Sequence, residues 1–280
     1  MSLRPSERLT ALVLAILLSL ALLLRPPGWI GRALAFAGLL LVLGALGLAP
    51  RERLSPLRDL FPVAAVLGIF LLLQPLVTAL NTRCFDTALA RADARWLGSL
   101  PDRWRQAFGR PAAFTDLVYA AYASFYALPL TVALLTRARL GAARFERVTF
   151  TLLLGFYLSF LGYFLWPAEG PRIPPALEQA RLGGGAFSGA VRALLHAAER
   201  TTLDAFPSGH TALSLLPAAL ATRPFPRLAP LFWAWALAIV FATVYLSLHY
   251  AVDVLAGAAL VPLTLLLSGP LARRLGRREA

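Results

Sequence analysis

The sequence predicts an all-α, polytopic membrane helix bundle with about eight transmembrane helices. Composition is the first ground: 59% of the 280 residues are apolar and 15% are charged, where soluble domains hold about 45–50% and about 25%. The second is a mean hydropathy of +0.69. The third is arrangement, because the apolar residues gather into runs near the ~20 residues that a helix needs to cross the hydrocarbon core.

The runs, in order, cover about 9–24, 31–49, 59–80, 114–136, 147–166, 210–222, 229–248 and 250–268. The first follows Arg4 and Arg8, as a signal peptide would, but Arg25-Pro26-Pro27 is a poor small-residue cleavage site, so it reads as a retained helix. The sixth is short and contains Pro217. That residue kinks a helix or removes a backbone bond, which transmembrane helices tolerate when neighbours satisfy the freed carbonyl.

The net charge is +13, and every basic residue is Arg. These arginines are scattered between apolar runs rather than laid out as a stripe, which argues against nucleic acid as a partner. They read instead as topology signals. Arg4/Arg8, Arg51/Arg53/Arg58, Arg137/Arg139/Arg144/Arg147, Arg223/Arg227 and Arg273/Arg274/Arg277/Arg278 all fall on one side of an eight-span arrangement. The positive-inside rule then places both termini in the cytoplasm, with the plasma (inner) membrane as the expected location. The two long connections, 81–113 and 167–209, lie together on the outer face. The first carries Phe85, Leu89, Trp96, Leu97 and Trp104 among Arg and Asp, the pattern of a helix lying at the interface. The second contains a Gly183-Gly184-Gly185 break and a candidate amphipathic helix over Gly189–Arg200.

Cys84 is the lone cysteine, which excludes an intrachain disulfide and a thiolate metal cluster. Of three histidines, His196 sits in an Arg- and Ala-rich stretch and reads as a surface residue, leaving His210 and His249. Ala205–His210 reads AFPSGH. Pro207 ends extended chain, and Ser208-Gly209 stand where the sixth helix starts. A helix N-terminus offers unpaired N–H groups and partial positive charge to an anion, and Gly209 lets backbone approach it closely. His210, in the first turn, reaches whatever those groups hold. In His249–Asp253 (HYAVD) the histidine and carboxylate are four apart, on one face if helical. The carboxylate can accept from one imidazole nitrogen and leave the other nucleophilic.

Read singly, the first segment is also a capped helix start and the second a structural His–Asp hydrogen bond. Topology favours the chemical reading, because both segments emerge at one membrane depth on the outer face. Two histidines, a carboxylate and an anion nest suit phosphoryl transfer through a covalent intermediate.

These two segments resemble the second and third signature motifs of the type 2 phosphatidic acid phosphatase superfamily, which includes lipid phosphatases, vanadium haloperoxidases and inositol phosphorylceramide synthases. The resemblance implies a six-helix catalytic core over 59–268, interfacial segments included, preceded by two transmembrane helices in 1–58 and followed by a basic cytoplasmic tail, 269–280. It implies His249 as nucleophile, Asp253 as its orienting partner and His210 as acid to the leaving oxygen. Ser208 and Gly209 would hold phosphate oxygens, with no metal and no cofactor. A soluble haloperoxidase is disfavoured, since it has no use for the hydrophobic spans.

The departures are informative. Where the third motif carries Ser-Arg, this chain has Ala242 and Thr243. The first motif, Lys-x6-Arg-Pro, cannot occur without Lys; Arg103 and Arg110-Pro111 reproduce its spacing but lie two spans early. Tyr163–Arg172 (YFLWPAEGPR) resembles the inositol phosphorylceramide synthase-like (inositolphosphotransferase) branch, and Asp86–Pro101 and Tyr119–Pro129 are similar to it too. In that reading Arg172 supplies the missing cation, its fork suited to two phosphate oxygens. Tyr122, Tyr126 and Asp116 would line the pocket, although bundle packing explains them equally well. The expected partners are membrane lipids, a phospholipid or an isoprenoid or sphingolipid phosphate, with an alcohol acceptor such as inositol. The competing class is a non-enzymatic lipid-phosphate carrier or flippase that keeps the fold.

Overall fold

A computed structural model describes residues 3–48, 51–98, 100–198 and 202–276. Arg200, Arg277 and Arg278, and the side chains of Arg51, Arg53 and His196, lie outside the described residues. Among the described residues the secondary structure is helical throughout. An α1–α2 hairpin (Pro5–Leu24 and Trp29–Leu48) leads into the long α3 (Arg51–Leu80). Two short helices, α4 (Asp86–Trp96) and α5 (Leu100–Phe108), precede α6 (Ala112–Ala123) and α7 (Ala127–Leu140). The chain continues through α8 (Ala142–Leu165), the short α9 (Pro175–Leu182) and α10 (Ala186–Ala198), and ends with α11 (Gly209–Thr222), α12 (Ala229–Tyr245) and α13 (Ala251–Gly276).

The helix bundle is as expected. Among the described residues, five helices are long and apolar enough to cross a membrane: α1, α2, α3 from Pro56, α8 and α13. The fourth expected span is broken into α6 and α7, which meet at a 50° bend and make a sixth span if counted as one. At 14 and 17 residues, α11 and α12 measure about 21 and 25 Å, short of a ~30 Å hydrocarbon core. Residues 202–208 and 246–250 form loops that build a polar site.

The helix at the centre is α8, which packs against α1, α3, α7, α11 and α13. One core cluster joins Leu14 and Leu17 of α1, Ile69 and Leu73 of α3, and Phe150 and Tyr157 of α8. A second joins Leu128 and Val132 of α7, Leu213 and Leu216 of α11, and Phe232 and Ile239 of α12. Small residues let backbones close up, the usual basis of helix association in lipid. A Cβ on Gly155 would meet Leu216 Cδ2 at 2.8 Å, and one on Gly257 of α13 would overlap the carbonyl oxygen of Ser208. This second contact seats the start of α11 against α13.

The two ends of the bundle differ. At one, Arg4 and Arg137 both bond Asp59 (2.6 and 2.9 Å), Ser6 donates twice to Glu146, and Arg8 donates to the Leu275 carbonyl. Arg58, 2% exposed, forks onto both Glu7 oxygens. Removing one partner of a buried pair costs about 3–5 kcal/mol because a charge is left uncompensated, so this pair locks α1 to α3. At the other end lie the two long connections. Phe85 N–H donates to the Pro167 carbonyl, and Asp86 accepts from the Glu169 and Gly170 N–H groups at 2.8 Å each. Both histidine motifs sit at this end. α13, 26 residues long, runs from this end toward the arginine-rich one, about 39 Å along its own axis.

Candidate active site

Three loops build the site, and backbone hydrogen bonds hold them in register. Ala205 N–H donates to the Ala168 carbonyl at 2.9 Å, and Ser208 N–H donates to the Asp253 carbonyl at 3.0 Å. Gly170, with φ +84°, lies against the Leu248 carbonyl, where a Cβ would stand 2.6 Å from the oxygen. Only glycine combines that φ with that approach. The 167–172 loop therefore rests directly on the loop carrying His249.

Ser208 is the N-cap of α11. Its hydroxyl accepts from Thr211 N–H (3.2 Å) and Thr211 Oγ1 (3.0 Å), and the residue is fully buried. Capping uses only the acceptor side of this hydroxyl, so its O–H can still donate to a phosphate oxygen. Beside it stand the Gly209 and His210 N–H groups, the first two of α11, which a helix leaves without internal acceptors. Tyr163 covers Gly209 closely, its Oη 2.5 Å from where a Cβ would be.

His210 occupies the second position of α11. Its ring stacks on Tyr122 (centroids 4.8 Å apart, 28° between planes) and packs on Phe125 at 4.4 Å. Tyr122 is thus placed as a wall of the site. Tyr126 lines a small cavity of about 30 Å³ together with Asp204, Tyr163, Gly209 and His210. Asp116 is not in the pocket. Its carboxylate accepts from Gly185 N–H (2.9 Å) and Ser188 N–H (3.0 Å), so it caps α10 from α6, the ordinary use of an Asp beside free helix N–H groups.

His249 lies in the loop between α12 and α13, not on a helix. Thr243 holds this loop by accepting from Leu248 N–H and His249 N–H (2.9 and 3.3 Å). Arg105 of α5 pins it from outside, donating to the Tyr245 carbonyl (2.8 Å) and Ser247 Oγ (2.7 Å). The expected shared helical face of His249 and Asp253 is therefore corrected. Asp253, in the first turn of α13, reaches back to accept the Tyr250 N–H at 2.8 Å, one half of a capping box. Its Oδ2 stands 3.6 Å from His249 Nδ1, beyond a hydrogen bond. The group that bonds Nδ1 is the Ala205 carbonyl, at 2.9 Å. A carbonyl only accepts, so Nδ1 carries the proton in the neutral ring and Nε2 keeps its lone pair. That Nε2 faces His210 Nδ1 at 3.5 Å.

Arg172 lies within electrostatic reach of His210. Its guanidinium donates to the Glu169 carbonyl (2.7 Å) and pairs with Asp204 at 2.9 Å. Three further residues shape the site; Asp204 and Arg105 escape sequence reasoning, while Asp93 lies in the Asp86–Pro101 segment that resembles the inositol phosphorylceramide synthase-like branch. Asp204 directly precedes AFPSGH, a signal available but unused. Arg105 is one arginine among many and has no distinguishing pattern. Asp93 accepts the Val252 N–H at 3.1 Å, so α4 supports the start of α13. Desolvation and the neighbouring Asp86 carboxylate push the Cys84 thiol above its usual range, which disfavours the reactive thiolate. Among the described residues, no group of three or more His, Cys, Asp or Glu side chains is arranged to hold a metal ion.

The sequence profile of the PAP2 superfamily matches residues 87–267. The chain belongs to the PAP2 superfamily. The match covers nearly two thirds of the chain, from α4 into α13, and includes all three loops of the site. A PA-phosphatase related-family protein of Dictyostelium discoideum is 30% identical over 118 residues, 41% of this chain and 21% of that protein. The matched part therefore spans about a fifth of the relative's length. No solved structure matches the chain. PAP2 membership and the long apolar helices together make this an integral membrane protein.

Proposed function

We propose that this PAP2 protein breaks lipid phosphate esters through a phosphohistidine on His249, and that it passes the phosphoryl-bearing group to an alcohol, as the inositol phosphorylceramide synthase-like branch does. One observation carries the reading: the Ala205 carbonyl fixes the His249 tautomer so that the Nε2 lone pair faces His210. In the first step Nε2 attacks phosphorus, the N–P bond forms as the ester P–O bond breaks, and His210 protonates the departing oxygen. The Gly209 and His210 N–H groups and Arg172 stabilise the equatorial oxygens. In the second step His210 takes a proton from the acceptor hydroxyl, whose oxygen displaces His249 from phosphorus. An alcohol gives transfer; water gives the lipid phosphatase reaction.

An in-line phosphoryl group needs more room than the 3.5 Å between the two rings. Substrate entry therefore turns His210 toward the small cavity beside it, in keeping with the loose catalytic contacts of ligand-free sites. Asp204, paired to Arg172 and lining that cavity, presents a carboxylate to incoming hydroxyls. The arginine-rich end of the bundle lies far from the histidines, which supports cytoplasmic termini and a site on the outer face.

Asp253 has a narrower role in this scheme. Because Ala205 already holds the tautomer, Asp253→Asn keeps the ring oriented and removes only the charge that favours imidazolium. The expected fall in turnover is on the order of 10²-fold, against ~10⁴-fold where the acid itself sets the tautomer; steady-state kinetics on the purified variant reads this directly. The function itself is tested by supplying labelled phospholipids, isoprenoid phosphates and sphingolipids, with and without inositol. Release of free phosphate marks hydrolysis, and a new phosphorus-containing lipid marks transfer. Lipid binding without product would favour the carrier.

A further inference from the structure

The small cavity beside His210 adjoins a much larger one. A groove of about 640 Å³ lies between α3, α7 and α8, and Val66, Tyr126 and Phe156 line both spaces. From Tyr126 it follows α7 past Leu130 and Ala133 to Arg137, a distance of about 16 Å. The walls are almost wholly apolar, and Leu67, Leu130 and Leu134 are partly exposed along its open side. The floor is polar. There Arg137 Nε bonds Asp59 at 2.9 Å, and Arg4 bonds the other oxygen of Asp59 at 2.6 Å.

We propose that this groove holds a hydrocarbon chain of the lipid phosphate ester and that the Asp59–Arg137 pair sets the longest chain it accepts. The proposal rests on the reading of His249 and His210 as the phosphate site, because continuity with that site selects the occupant. A chain whose phosphate lies at the histidines runs from Tyr126 down the groove. Bulk lipid already offers an apolar medium, so the groove contributes position and selection rather than raw affinity. A chain too long for it must press apolar carbon against a paired charge, which costs desolvation without any compensating bond.

The test uses the full chain in detergent with single-chain alkyl phosphates of increasing length, and with a long alkyl phosphate bearing a photoreactive diazirine at its end. Ala133→Phe is expected to lower kcat/KM for hexadecyl phosphate by about tenfold while leaving butyl phosphate turnover unchanged. Leu130→Phe, at a more exposed wall, is the second variant should Ala133→Phe fold poorly. Arg137→Leu, which leaves Asp59 paired to Arg4, is expected to move the length optimum upward. The diazirine is expected to label α3 or α7 near Asp59 and Arg137, including in the His249→Ala protein, so occupancy is read without turnover. Equal losses on short and long substrates in the filled variants, or labelling confined to outward faces such as α2, overturn the groove. A wild-type protein inactive on every phosphate ester refutes the catalytic reading instead, and the labelling pattern still decides the groove.

Discussion

Replacing His249 with alanine is expected to reduce turnover of every phosphate ester by on the order of 10⁴–10⁶-fold, the scale seen when a covalent nucleophile is removed. The folded structure is expected to survive. The ring is buried, and its loss leaves the Ala205 carbonyl without a donor, a cost of about 1–3 kcal/mol. The loop keeps its other anchors, the Thr243 carbonyl and Arg105. Thermal unfolding and helix content therefore stay near those of the wild type while activity vanishes. His210→Ala separates the two roles. It removes the acid but not the nucleophile, so the loss is about 10²–10⁴-fold on alkyl esters and shrinks when the leaving group is a nitrophenolate that needs no proton. Equal losses on both leaving groups would place His210 elsewhere in the mechanism.

The second large effect is expected far from any reacting atom. In Gly257→Val the new side chain overlaps the Ser208 carbonyl oxygen, and its Cβ lies 3.0 Å from Thr211 Cβ. The obstacles are the Ser208 backbone and the Thr211 Cβ, neither the far end of a flexible side chain, so α13 must move off α11. That displacement strains the Ser208–Asp253 backbone bond and carries His249 away from His210. A misplacement of about 1 Å costs on the order of 10²-fold in rate, and overpacking costs about 1–3 kcal/mol in stability. Activity and melting temperature in detergent should both fall. Gly44→Ala is the control, since a Cβ there meets nothing within 4 Å; both quantities should hold.

Much of this arrangement is legible in the residue pattern. Apolar runs locate the helices, and two short motifs place His210 and His249 at one end of the bundle. What escapes the pattern is set by backbone rather than side chains. The acceptor for His249 is a main-chain carbonyl, which any residue at position 205 would supply, so Asp253 stands out in the sequence instead. A four-residue spacing implies a shared face only within a helix, and His249 lies outside one. Ser208 reads as a phosphate ligand and Asp116 as a pocket residue because polar side chains that suit a site also cap helices; which tasks each performs depends on the groups packed against it.

Trapping of the covalent intermediate tests the central claim most directly. Purified protein is mixed with a lipid phosphate ester carrying radiolabelled phosphorus and quenched during turnover, and the labelled peptide is sequenced. The expected result is an acid-labile, alkali-stable label on His249, absent from the His249→Ala protein and lost on addition of acceptor. Turnover without a labelled enzyme, or a label on any other residue, would contradict it.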